Sequence, residues 1–207
     1  MPRAKPRTAY RFRGVTMPTG SHPAIRRVKR QGVYPAIHGN KLWNSSFLLI
    51  DYLNKNRPEH CASVMDAGCG WGIGGIWCAK EFGAQVTSVD ADPLVFPFLE
   101  VTSRLNGVET EAKVARFEKL TTSYLSQFDT FIAADVCFWD ELVPTVSNLV
   151  NRCVKAGVKR ILVADPERPT FHEMAERCID KHGGELLPWR TRGALAASGA
   201  ILVINNY

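Results

Sequence analysis

Beyond Leu42 the apolar positions follow two rhythms in turn, a helical spacing and short unbroken runs. The stretch Leu42-Trp43-Asn44-Ser45-Ser46-Phe47-Leu48-Leu49-Ile50-Asp51-Tyr52-Leu53 gathers its apolar residues on one helical face, with Ser45 or Ser46 placed as N-cap. Apolar runs then predict strands over 63–67, 85–89, near 112–116, 130–134 and 160–164. Helices are expected between them over 74–82, 93–106 and 139–155. Pro97 lies inside the second of these and should bend it or delay its start. Thr170-Phe171-His172-Glu173 has the form of a capping box opening another helix, which Gly183-Gly184 stops. Two last strands, 185–189 and 200–205, read as an antiparallel pair, with Pro188 favouring an edge position for the first.

Strands alternating with helices imply an α/β fold with a mostly parallel sheet covered on both faces. With the terminal pair the sheet has seven strands, and the short apolar runs fit strands buried on both sides. Residues 41–207 are expected to form this single domain. In the first 35 or so residues, Pro2, Pro6, Pro18, Pro23 and Pro35 interleave with Gly14, Gly20 and Gly32, which predicts an irregular arm over 1–40. Ligands of such sheets bind beyond the carboxyl ends of the strands, so the residues after each strand carry the functional information.

After the first strand of the domain comes Asp66-Ala67-Gly68-Cys69-Gly70-Trp71-Gly72-Ile73-Gly74-Gly75. Glycines let the chain turn tightly and let a ligand approach the main chain, and the helix that follows offers its N-terminal amides. Asp90 closes the next strand, placed to accept the hydroxyls of a ribose. Together these predict a nucleoside cofactor. Gly70, Gly72 and Gly75 satisfy G-x-G-x-x-G, but Asp66 would set a negative charge beside a pyrophosphate. An acid there suits a cofactor with a cationic amino-acid tail, as in S-adenosylmethionine.

Asp66, Gly68, Gly70 and Gly72 match one for one the acid-x-Gly-x-Gly-x-Gly motif of the class I S-adenosylmethionine-dependent methyltransferases, which the chain resembles over about residues 40–207. The resemblance implies a Rossmann-like methyltransferase domain in which the Gly68–Gly72 loop, with Cys69, holds the methionine moiety and Asp90 the ribose. Ala91 and Phe117-Glu118 would lie near the adenine. Leu42-Trp43-Asn44-Ser45-Ser46, Asp135-Val136-Cys137-Phe138 and Asp165-Pro166-Glu167-Arg168-Pro169 resemble segments of the lysine methyltransferase-like branch. The last two look most like the electron-transfer-flavoprotein β-subunit lysine methyltransferases; nicotinamide N-methyltransferase-like proteins are also similar. Phe138 stands where many members have tyrosine.

The activity so implied is N-methylation, with a protein lysine as acceptor; a small-molecule amine, an RNA or a cofactor-binding role without catalysis are the alternatives. A lysine must lose a proton before it attacks, against a free pKa near roughly 10.4. A carboxylate orients the amine but also stabilises its charged form. Asp135 is therefore read as a catalytic positioning group and proton path, the other reading being a cap on the helix near Trp139. Trp43 is either core or a wall of the cofactor site. Trp71 either covers the methionine tail or packs, and Asp165 either serves the site as Asp135 does or only forms an Asp-Pro turn, with Arg168 pairing with Glu167 or Asp165.

Charge changes the picture of the arm. Residues 1–50 hold ten Lys and Arg and no acid before Asp51, so the remaining 157 carry 16 bases and 20 acids, a net of −4. The +6 of the whole chain belongs to the arm, which suggests steering of an acidic protein surface or, less readily, phosphate contacts. No apolar run approaches the roughly 20 residues of a membrane helix. Cys61, Cys69, Cys78, Cys137, Cys153 and Cys178 form no C-x-x-C pair, and the five His lack metal-type spacing. With no apolar stretch following Met1, a reducing cytoplasm is the expected compartment.

Overall fold

The computed structural model describes residues 7–39, 41–57 and 62–206. In chain order the elements are β1 (Ala9–Phe12), β2 (Val15–Pro18), α1 (Pro23–Arg30), α2 (Ser45–Lys55), β3 (Ser63–Ala67), α3 (Ile73–Phe82), β4 (Gln85–Asp90) and α4 (Phe96–Asn106). There follow β5 (Glu111–Val114), α5 (Thr122–Leu125), β6 (Thr130–Ala134), α6 (Leu142–Lys155), β7 (Arg160–Asp165), α7 (Pro169–His182), β8 (Glu185–Arg190) and β9 (Ser198–Asn205). Seven strands form one sheet in the order β5-β4-β3-β6-β7-β9-β8. The first five are parallel, and β9 runs antiparallel to both β7 and β8. The expected α/β architecture with its C-terminal antiparallel hairpin is thus observed.

The alternation along each central strand explains why both faces are covered. Ile161 and Val163 face α6 and α7, with Phe131, Leu202, Val146, Leu149, Phe171 and Met174 in one buried cluster. Leu162 and Ala164 face the other way, into a cluster with Leu48, Leu49, Ile76, Trp77 and Ile201 from α2, α3 and β9. Pro188 sits on edge strand β8, where its missing N–H interrupts no ladder. Pro97 delays its helix: a 3-10 turn over Pro93–Val95 comes first, and Pro97 lies in the first turn of α4.

The stretch 1–40, expected to be irregular, is ordered in its described part. Arg13 and Gly14 turn β1 into β2 with positive φ, and the hairpin inserts Val15 and Met17, both 0% exposed, into the α2–α3 side of the core. Asn106 at the end of α4 accepts from Thr16 N at 2.8 Å and returns a bond to Thr16 O at 2.8 Å. Asp51 on α2, buried, accepts from Arg13 at 2.6 Å and from Trp189 Nε1 at 3.1 Å. Helix α1 buries Ile25 and Val28 against Trp71 and Phe98. The proline and glycine count pointed to an arm; the apolar spacing at Val15, Met17, Ile25 and Val28 decides its packing.

Three local expectations are corrected. Helix α2 is capped by neither Ser45 nor Ser46: Asn44 is the N-cap and makes no side-chain bond. Helix α6 opens at Leu142 rather than 139. Helix α7 has no capping box, since Arg168 is its N-cap and Thr170 Oγ1 donates instead to Cys137 O at 2.6 Å.

Candidate active site

The strand order reverses between β3 and β6, and a cleft opens there beyond the carboxyl ends of the strands. One wall is the loop after β3. Gly68, Gly70 and Gly72 have φ of +67°, +52° and +73°, backbone that side chains rarely adopt. At Gly68 a Cβ would stand 2.6 Å from Val136 Cγ1, so both conformation and space demand glycine. At Gly70 the space is open, with nothing within 4 Å of a Cβ, and bare main chain faces the cleft. Gly72 does not line the cleft; it begins α3, and a Cβ there would strike Leu99.

Asp66, at the end of β3, is buried, and its Oδ2 accepts from Gly75 N at 2.9 Å. Burial pushes its carboxyl up to about 7, the Gly75 bond opposes this, and the charge of Asp90 adds to it. Asp90 closes β4, where Oδ2 accepts from Gly70 N at 3.0 Å and Oδ1 from Asp92 N at 3.0 Å. Burial raises its pKa too, against those same amides. Cys69 feels both acids: burial, then the charges of Asp66 and Asp90, push its thiol up. Its amide donates to Val89 O at 3.0 Å, tying the loop to β4. Ala91 and Phe117 complete this end of the cleft.

The second wall comes from the stretch before α2, of which only Trp43 was read from the sequence. Asp92 Oδ2 accepts from Ala36 N at 2.6 Å and Ile37 N at 3.2 Å. Trp71, stacked on Phe98 at 5.2 Å, donates its indole N–H to Gly39 O at 2.8 Å. Trp43 does the same to His38 O at 2.9 Å. These bonds hold a strap, residues 36–39, along the cleft. No local spacing links Asp92 or Trp71 to residues 36–39, so no sequence pattern signals the strap.

The third wall follows β6. Asp135 is buried with φ +58°, a left-handed conformation that aspartate tolerates better than most residues. Its Oδ2 accepts from Ser45 N at 3.2 Å, so Asp135 caps α2 rather than the helix that follows it in sequence. Its Oδ1 lies 2.8 Å from Arg168, whose guanidinium also meets Asp165 at 2.6 Å. Arg168 pairs with Asp165 and with Asp135, and its guanidinium lies 5.1 Å from the Phe138 ring centroid. Burial raises the Asp165 carboxyl to about 6, while Arg168 opposes the rise and Asp135 adds to it. At the mouth, His38 stands 4.8 Å from Phe138 and 5.3 Å from Trp139, and Trp43 stands 5.7 Å from Phe138. Lys41 places its ammonium 4.1 Å from the Trp43 ring centre.

Trp43, Asp66, Gly68, Cys69, Gly70, Trp71, Asp90, Ala91, Phe117 and Asp135, all named from the sequence, line this one cleft, and only Gly72 stands back from it. The cleft is acidic at its base and aromatic at its mouth. A model of the lysine methyltransferase family matches residues 29–181. The chain belongs to that family. Electron transfer flavoprotein beta subunit lysine methyltransferase of Rattus norvegicus is 26% identical over 134 residues, 62% of this chain and 50% of that one. Ubiquinone biosynthesis O-methyltransferase of Xylella fastidiosa (strain 9a5c) is 27% identical over 104 residues, 50% of this chain and 41% of that one. The chain spans about half the length of the curated relatives it matches.

The fold is shared with a SAM dependent methyltransferase from Agrobacterium tumefaciens (TM-score 0.66, 13% identity, 100% of this chain and 72% of that one). It is shared also with the Pyrococcus abyssi tRNA (uracil-54, C5)-methyltransferase solved with S-adenosyl-L-homocysteine (TM-score 0.58, 19% identity, 81% and 40%). These likenesses show the fold; the family match is what agrees with the methyltransferase family and the S-adenosylmethionine cofactor read from the motif. The residues present fit that group. Asp66 is buried and Asp90 half-buried, their raised pKa values mark a site short of positive charge, and the donor carries a sulfonium and an ammonium. The exposed main chain at Gly70 and the Phe117 ring supply a polar edge and an apolar face. Among the described residues no helix is long and apolar enough to cross a membrane.

Proposed function

We propose that this protein transfers a methyl group from S-adenosylmethionine to the side-chain amine of a lysine in a protein substrate. The observation that carries the reading is the mouth of the cleft. Rings of His38, Trp43, Phe138 and Trp139 border it, and a lysine ammonium is already seated on one of them. Such a passage suits a thin aliphatic stem with a cationic head. The family match and the rat relative support the same acceptor.

S-adenosylmethionine supplies an activated methyl group when bound. The chain's own work is to hold and to align. Asp66 faces the donor's cationic tail, Asp90 takes the ribose hydroxyls, and the strap with the aromatic rim keeps water from the cleft. Asp135 is fixed in place by its ion pair with Arg168 and by the Ser45 amide. It orients the incoming amine and passes its proton outward, while alignment supplies much of the rate.

The acceptor protein is expected to present an acidic surface. Helix α1 carries exposed Arg26, Arg27 and Arg30 with no acid in the element, beside the Trp71 end of the cleft. Free thiols at Cys69, Cys78, Cys137, Cys153 and Cys178 support the cytoplasm as the compartment. Incubation with methyl-labelled S-adenosylmethionine and a fractionated lysate, followed by RNase and protease, tests the acceptor class. Label that survives RNase, is lost to protease and maps to lysine is the expected result. Label in RNA or in small molecules overturns the lysine assignment.

A further inference from the structure

We infer that Lys41 of this chain is itself a methylation site of the enzyme, modified in cis; the inference rests on the proposed lysine-methylating activity. Lys41 is the one lysine among the described residues lining the cleft, which it shares with Asp66, Gly68 and Asp135. Its ammonium lies 4.1 Å from the Trp43 ring centre, within the range of a cation–π contact.

The backbone around it is tied down. His38 O is held by the Trp43 indole and Gly39 O by the Trp71 indole, so Lys41 stands on a short stretch anchored to the cofactor loop. Other lysines are placed differently. Lys55 and Lys113 also lie over rings, those of Trp189 and Tyr124, but neither lines the cleft as Lys41 does. An amine tethered at the mouth of its own donor site has a large proximity advantage over a free one.

The step balances within the proposed reaction. The Lys41 ammonium gives a proton to water, and the freed pair on Nζ forms the new bond to the methyl carbon. The carbon–sulfur bond breaks with its pair left on sulfur, giving S-adenosylhomocysteine. The methylated nitrogen stays cationic at neutral pH, so its contact with Trp43 survives the modification. The product thus remains in the mouth, where an acceptor lysine would have to displace it.

The test uses the purified full chain with methyl-labelled S-adenosylmethionine and no added acceptor. Peptide mass spectrometry, of the chain as purified and after incubation, is expected to find methyl groups on Lys41. The first-order rate should be independent of chain concentration, and the Lys41→Arg variant should lose the label. Independently of turnover, S-adenosylhomocysteine should protect Lys41, and not Lys29 on α1, from an amine-acylating reagent. Calorimetric binding of S-adenosylhomocysteine to the wild-type chain is read in parallel. Absence of binding undoes the cofactor reading itself. Binding without methyl at Lys41, label on another lysine, or a rate proportional to concentration undoes the inference alone.

Discussion

Replacing Asp66 by asparagine isolates the cost of an ionised carboxylate at the base of the cleft. The side chain is 5% exposed and makes one protein hydrogen bond, from Gly75 N, which an asparagine oxygen can also accept. In the ligand-free native state the carboxyl titrates near 7; the ordinary value is 3.8. Between those two values the folded chain holds a proton that the unfolded chain has lost, so stability falls as pH rises through that window. Each pH step there costs about 1.4 kcal/mol. The penalty is about 2 kcal/mol at pH 5 and about 4 kcal/mol at pH 8, upper figures for a rigid site. Asp66→Asn removes the titration, so the stability difference, variant minus wild type, should grow by roughly 2–3 kcal/mol from pH 5 to pH 8. Urea unfolding of both proteins at the two pH values measures it, with S-adenosylmethionine absent. The same substitution should weaken S-adenosylmethionine binding about tenfold or more at pH 8, because a charge-assisted contact is lost. A difference flat with pH, or one that shrinks, refutes the reasoning.

Other expectations follow from single contacts. Met17→Ala should cost about 2–5 kcal/mol in thermal or urea unfolding, because Met17 is fully buried; a loosely held arm would show no loss. Deleting residues 1–35 should abolish cooperative unfolding together with cofactor binding, read by calorimetry, since Val15 and Ile25 are also fully buried. Gly68→Ala should destabilise the chain by about 1–3 kcal/mol, forced into Val136 at positive φ, and should lower cofactor affinity in the same titration. Asp135→Ala should cost about 3–5 kcal/mol by stranding Arg168 and the Ser45 amide; adding Arg168→Met should recover part of it in a double-mutant cycle.

The parallel sheet was legible because each strand is a short apolar run and each helix carries its own start or stop. Asp66, Gly68, Gly70 and Asp90 were legible for a related reason: a ligand that touches main chain forces glycine and acid into a fixed local order. What escaped was built from contacts remote in sequence. The Asp92 bonds to Ala36 and Ile37, the Trp71 bond to Gly39 and the Asp135 bond to Ser45 join segments with no shared periodicity. Ser45 and Ser46 read as caps because a local hydroxyl is the commonest solution. The buried carboxylate of Asp135 takes that place instead. The arm misled for a different reason: proline and glycine mark turns, and they say nothing of whether the residues between them are buried.

The strap held by Asp92, Trp71 and Trp43 gives the molecule a reporter of its own ligand traffic. The amides of Ala36 and Ile37 donate to the Asp92 carboxylate and themselves belong to no helix or sheet ladder. Their exchange with solvent deuterium therefore records the opening of this wall and little else. If the donor must pass the strap to enter or leave, the opening rate of those two amides sets a ceiling on cofactor exchange. Slow-exchanging amides at 36 and 37 in the loaded protein would then mark product release as a step paced by the chain's N-terminal segment rather than by the glycine loop.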